Sequence, residues 1–189
     1  MKKIILAAFI TAISGLALSA EYDKSIDIQL PDEIGNLRFK DKKEFPQKAL
    51  GVNYAYESVR DYVRGSIFIY TDGLASIADG VNTPVVQKHF DQVIKEVKSL
   101  ETLGRVKSVA LSMDPNQATR YPGCGPQFLW RSYVMDLDGK TRLKAYTYLT
   151  AVKDNFVKLR ITFKDETPQD QRDADLFVAE VRKLLGHCK

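Results

Sequence analysis

The chain has 189 residues, with 28 Lys and Arg against 24 Asp and Glu, two His and two Cys. That length favours one domain with room for a single sizeable core. The near balance of charge argues against nucleic acid as a partner, which requires a basic stripe and a larger excess.

The N-terminus reads "MKKIILAAFITAISGLALSAEYDK". Lys2 and Lys3 form a positive n-region, residues 4–18 are almost wholly apolar or small, and Ala17, Ser19 and Ala20 precede the first acid, Glu21. This is the pattern of a cleavable secretory signal peptide over residues 1–20, followed by one domain over residues 21–189. The apolar core is shorter than the roughly 20 residues of a membrane span. No later stretch is long and apolar enough either, so no transmembrane segment is expected in the exported chain. No Cys lies near the junction to take a lipid. The short, lysine-led n-region suggests a bacterium, and export then means the periplasm or beyond. Without Lys2 and Lys3 the chain carries 26 basic against 24 acidic residues, a net +2.

After the leader, Ile26, Ile28 and Leu30 share one face of a short strand stopped by Pro31, and Leu37 and Phe39 alternate with polar neighbours as in an edge strand. "ALGVNYAYES" puts Val52, Tyr54 and Tyr56 on one face, and "RGSIFIYTDG" is apolar on both. The two read as a hairpin around "SVRDYVRG". "NTPVVQKHFDQVIKEVKSLETLG" is an amphipathic helix: Asn82 or Thr83 caps it, Pro84 fits the first turn and Gly104 ends it. Val86, Phe90, Val93, Val97 and Leu100 form its buried stripe.

"RVKSVALSM" is a further strand, followed by the irregular loop "DPNQATRYPGCGPQF". Three strands then come in close order, "QFLWRSYVMDL", "TRLKAYTYLTAV" and "NFVKLRITF", linked through Asp138-Gly139 and through "KDN" as an antiparallel meander. The last helix is capped by Thr167, with Pro168 in its first turn and Asp170 complementing the dipole. Ala174, Phe177, Val178, Val181, Leu184 and Leu185 form its buried stripe, and Gly186 closes it. The expected fold class is α+β: a mostly antiparallel sheet of about six or seven strands with two amphipathic helices packed on it.

This order (signal peptide, strands, helix, meander, terminal helix) resembles the PsbP-like architecture, which includes small secreted bacterial proteins of the DcrB type. The resemblance lies in the order of elements and in no residue motif. It implies a non-catalytic accessory protein.

The chemistry-bearing residues are few. Neither G-x-S-x-G nor H-E-x-x-H occurs, and "YPGCGPQF" lacks the lysine and helix start of a phosphate loop. The two His, His89 and His187, supply no Cys–His constellation, and the adjacency of His187 to Cys188 is unlike the ligand spacing of common zinc sites. No metal, cofactor or catalytic residue is therefore expected. In an exported chain, two Cys leave one intramolecular pairing, Cys124 to Cys188, closing a loop of about 65 residues.

In the meander, Lys158, Arg160, Thr162 and Lys164 alternate with an apolar row. Arg142, Lys144, Tyr146 and Tyr148 alternate with Leu143, Ala145, Thr147 and Leu149. Arg131 and Tyr133 lie between Trp130, Ser132 and Val134. If these faces register, one side of the sheet carries Arg131, Tyr133, Lys144, Tyr146, Tyr148, Lys158 and Arg160. Such a basic, tyrosine-rich surface suits an envelope protein or a small anionic or ring-bearing ligand. A solvated sheet face is the plainer alternative.

Two functional readings follow. The first is a secreted, periplasmic binding or accessory protein without enzymatic activity. The second is a hydrolase-like enzyme using the 114–126 loop, where Asp114, Arg120, Tyr121 and Cys124 cluster in sequence.

Overall fold

The computed structural model describes residues 19–59, 62–112, 117–118, 123–164 and 167–188. The n-region and apolar core of the expected leader lie outside the described residues, as do Asp114, Arg120 and Tyr121. Eleven strands and two α-helices follow in the order β1 (Ser19–Asp23), β2 (Ile28–Pro31), β3 (Glu33–Ile34), β4 (Leu37–Glu44), β5 (Val52–Ser58), β6 (Val63–Tyr70), α1 (Pro84–Thr102), β7 (Ser108–Leu111), β8 (Gln117–Ala118), β9 (Leu129–Asp136), β10 (Arg142–Val152), β11 (Asn155–Phe163) and α2 (Pro168–Leu185). The architecture is α+β, as expected. The strands beyond the expected six or seven include β3 and β8, two residues each and too short to show a period of two, and β1, which begins within the expected leader.

β3 to β11 form one antiparallel sheet in the order β3-β4-β5-β6-β11-β10-β9-β7, with β8 also on β9, while β1 and β2 make a separate ribbon. The helices take opposite faces. α2 packs on β6, β11, β2 and β3, whereas α1 packs on β7, β10 and β9. Among the described residues no helix is long and apolar enough to cross a membrane.

Both helix starts follow from their sequences. Thr83 Oγ1 accepts from the Val86 N–H at 3.2 Å with Pro84 next in line. Thr167 and Asp170 make a reciprocal capping box, in which the Thr167 N–H donates to Asp170 Oδ2 at 3.0 Å. Each pairing satisfies donors that the first turn leaves orphaned.

The α2 face holds the larger core. Phe177, Val178, Val181 and Leu185 meet Ile67, Leu159, Ile161 and Phe163 from β6 and β11. At about 2 kcal/mol each, the four large α2 side chains contribute on the order of 8 kcal/mol as an upper bound. Helix and sheet approach closely at Gly65, where a Cβ would lie 2.7 Å from two ring carbons of Phe177.

The end of α2 is fastened to the loop "GCGPQF". Cys124 and Cys188 form a disulfide across a Cα separation of 5.9 Å. Beside it the buried Arg182 guanidinium donates to the carbonyls of Gly123 (3.0 Å), Gly125 (3.5 Å) and Pro126 (3.0 Å). Gly125 adopts φ +100°, and a Cβ there would stand 2.4 Å from the Arg182 carbonyl oxygen. The glycine therefore answers a backbone conformation and a close approach together.

Two turns differ from their expected lengths. β10 and β11 are joined by Lys153 and Asp154 alone, both at positive φ, so that Val152 pairs with Asn155. β9 and β10 pair from Asp136 and Arg142, leaving five residues between them instead of the tight link at Asp138-Gly139. Each difference changes which side chains share a face.

Gly65→Ala is expected to cost about 1–3 kcal/mol through overpacking against Phe177, read as a lower urea midpoint at unchanged m-value. Replacing both Cys124 and Cys188 by Ser is expected to cost up to about 4 kcal/mol on the chain-entropy argument. Equal denaturation midpoints for parent and double variant would remove the stapling role.

Candidate functional site

The register separates the seven residues that the alternation patterns suggested as one binding face. Tyr146 pairs with Ile161 and Tyr148 with Leu159, so Lys144, Tyr146 and Tyr148 face α2 together with the apolar row of β11. Tyr146 and Tyr148 are buried there, and Trp130 stacks on Tyr148 at 6.1 Å. Lys144 Nζ and the Tyr146 hydroxyl both donate to Gln171 Oε1 of α2, at 3.0 and 2.7 Å. These three residues hold α2 in place.

The other four face α1. Tyr133 is buried, with its hydroxyl 3.1 Å from Thr147 Oγ1. Ser66, Arg160, Thr147 and Arg131 lie opposite one another across β6, β11, β10 and β9, a polar row. It separates the apolar cluster of Phe90, Ile94 and Leu149 from that of Val97, Val109 and Met135. The neighbouring row runs Asn53, Phe68, Lys158 and Leu149.

α1 lies mainly over the β7–β9–β10 side of this face, with its first half reaching Tyr70 of β6 and Phe156 of β11. Along its edge a cleft of about 140 Å³ opens between helix and sheet. Lys158, Arg160, Thr147 and Phe68 line it from the sheet, and Val93, Glu96, Val97 and Leu100 from the helix.

Lys158 is half-buried, with its Nζ over the rings of Phe68 (4.7 Å) and Tyr70 (5.2 Å). Burial lowers its pKa, with Arg160 adding to that shift and Glu96 and Asp72 opposing it. Arg160 is also half-buried, and its Nη2 meets the Met135 sulfur at 3.7 Å. Among the described residues no carboxylate lies within 4.0 Å of either cation. The exposed Arg64 on the same face differs, since its Nε lies 2.7 Å from Glu57 Oε1. Two partly desolvated cations with no carboxylate in ion-pair range are costly to hold, and an anion between them would lower that cost.

A second polar group adjoins the cleft. Tyr70 Oη lies 2.8 Å from His89 Nε2, and His89 Nδ1 lies 3.5 Å from Asp72 Oδ2. The tautomer that serves both contacts carries its proton on Nδ1 and accepts the Tyr70 hydroxyl proton at Nε2. The ring stacks on Phe156 at 4.0 Å. His89 is thus the packing residue that its place beside the apolar stripe suggests, with polar tethers added. Burial lowers its pKa below the ordinary 6.5 and raises that of Tyr70.

Cys124 is half of a disulfide and offers no thiolate while oxidised. The remaining residues of the alternative catalytic cluster lie outside the described residues. Glu96, Phe68 and Thr147, which complete the cleft, carry no sequence signal of their own. Each reads as an ordinary helix or strand residue until the strands are placed.

Because the folded pKa of His89 is depressed, the unfolded chain binds a proton more readily than the folded one. Its contribution to stability is complete above about pH 6.5 and falls as pH drops through the folded value. His89→Gln is expected to flatten the loss of melting temperature between about pH 7.5 and pH 5. An unchanged pH slope in thermal melts would rule this contribution out.

No protein-family model matches this chain, and no curated protein matches it with significance.

Proposed function

We propose that this chain is an exported, periplasmic binding protein that acts without catalysis and holds an anionic partner in the cleft along α1. The observation that carries the reading is the pair Lys158 and Arg160: two half-buried cations at the edge of a helix, with no carboxylate within ion-pair distance among the described residues. Three cations elsewhere in the fold are answered internally. Arg182 has three carbonyls, Arg64 has Glu57 and Lys42 has Glu21 at 3.1 Å.

The N-terminal leader pattern and the Cys124–Cys188 bridge both suit an oxidising compartment outside the cytoplasm. The element order that resembles PsbP-like proteins favours an accessory role over an enzymatic one. The surface differs from the one that the alternation patterns suggested. Its cations are those of β11, its aromatic member is Phe68, and the tyrosines of β10 belong to the opposite core.

Native mass spectrometry of the protein, exported from a bacterial host and isolated without denaturation, tests the reading. An anionic adduct is expected on the parent and should be absent from Arg160→Glu, whose melting temperature is checked in parallel. The same adduct on a folded Arg160→Glu protein, or none on the parent, would count against the cleft as the binding site.

A further inference from the structure

The walls of the α1 cleft differ in kind, and the difference narrows what the site accepts. The sheet side presents the charges of Lys158 and Arg160, while the helix side presents Val93, Val97 and Leu100. Phe68 bridges the two, its ring beneath Lys158 Nζ. Glu96 is the one acid among the described lining residues. Lys158, Arg160 and Glu96 together leave a single positive charge, which balances one negative charge and not two.

The helix supports the same count. The cleft flanks residues 93–100, the C-terminal half of α1, whose start at Pro84 lies away from the cleft. The carbonyl end of a helix repels dense negative charge such as a phosphate dianion. The site also lacks the helix N-terminus that phosphate sites use. A carboxylate needs neither, because guanidinium and ammonium donors match it directly. The apolar wall then asks for a hydrocarbon body on the far side of that carboxylate, since a small hydrophilic acid would leave the half-buried Phe68 and Leu100 in contact with water, above the buried Val93 and Val97.

Resting on the anion-binding reading above, we infer that the cleft takes an apolar monocarboxylate, of which a medium-chain fatty acid is the simplest form. Its carboxylate sits between Lys158 and Arg160. Its chain lies against Phe68 and the α1 stripe of Val93, Val97 and Leu100. Glu96 at the rim acts against the ligand, repelling its charge and competing for the same two cations.

Calorimetric titration of the purified protein at low salt with octanoate, acetate, octylamine and inorganic phosphate tests this. Octanoate is expected to bind at least tenfold tighter than acetate or phosphate, and octylamine not at all. Arg160→Gln should weaken octanoate at least tenfold. Glu96→Gln, an exposed change that leaves the core untouched, should tighten octanoate several-fold. Acetate or phosphate binding as tightly as octanoate, with Arg160→Gln weakening both, would overturn the ligand class and leave the anion reading standing. Octylamine binding as tightly as octanoate, or no response of any anion to Arg160→Gln, would overturn both. Weaker octanoate binding by Glu96→Gln would also overturn the inference.

Discussion

The two-residue turn at Lys153–Asp154 decides the character of both faces of the sheet. Side chains alternate with period two, so the number of residues in that turn sets whether Tyr146 stands beside Ile161 or beside Thr162. The turn is held by more than its own dihedrals. Asp154 Oδ1 accepts from Ser76 Oγ at 2.7 Å and from the Ile77 N–H at 3.0 Å, and the Lys153 N–H donates to Asp79 Oδ1 at 2.7 Å. Two non-glycine residues at positive φ are thereby locked in place by the loop after β6. A slip of one residue would carry Val157, Leu159, Ile161 and Phe163 out of the α2 core and push Lys158 and Arg160 into it. Four large apolar side chains at about 2 kcal/mol each, together with two buried charges, make that alternative inaccessible.

With the register set, the two sides of the sheet become unequal. On one side α2, the β1–β2 ribbon and the tyrosines of β10 make a continuous apolar core. On the other, α1 lies mainly over β7, β9 and β10, and its core is divided by the Ser66–Arg160–Thr147–Arg131 row. The treatment of charge differs as well. Arg182 is buried beneath the "GCGP" loop, and three backbone carbonyls converge on it, so the cation serves the packing of that loop. Arg160 has a thioether sulfur as its named contact, and Lys158 has two aromatic faces. Both are weaker answers than a carboxylate. The same chain therefore satisfies a structural arginine fully and leaves the cleft cations short of an anion.

Much of this was legible in the sequence. The helices, their caps and their buried stripes follow from Thr83-Pro84, Thr167-Pro168 and the spacing of Val86, Phe90, Phe177 and Val181, because those signals are local. The Cys124–Cys188 bridge follows from there being no other partner. The binding face did not follow, and the reason is specific. Reading the β10–β11 link as "KDN" puts even-numbered residues of both strands on one side. Reading a tight link at Asp138-Gly139 does the same for Arg131 and Tyr133 against Lys144 and Tyr146. Each link differs from the true turn in a way that reverses parity, so β10 is flipped against both neighbours. Composition could not reveal this, since β10 is buried on both faces and its tyrosines look like surface residues only in isolation. Arg182 and Glu96 acquire their roles through contacts with segments far away in sequence, which no local pattern records.

The placement of the cleft also bears on how well it is organised. Lys158 and Arg160 are two residues apart on one strand, so their backbones stand roughly 6.6 Å apart on the same side. β11 is hydrogen-bonded to β6 on one flank and β10 on the other, which leaves that spacing no freedom to relax. The proposed carboxylate would meet two cations on a fixed backbone, which lowers the ordering cost opposing it. The opposite wall is a helix anchored through Val86, Phe90 and Ile94 beneath it. The residues lining the cleft therefore stand on a central strand and a packed helix instead of on loops, and a cleft built on such elements keeps its geometry when empty. The desolvation of Lys158 and Arg160 is then a standing cost of the folded chain, which the proposed anion would relieve.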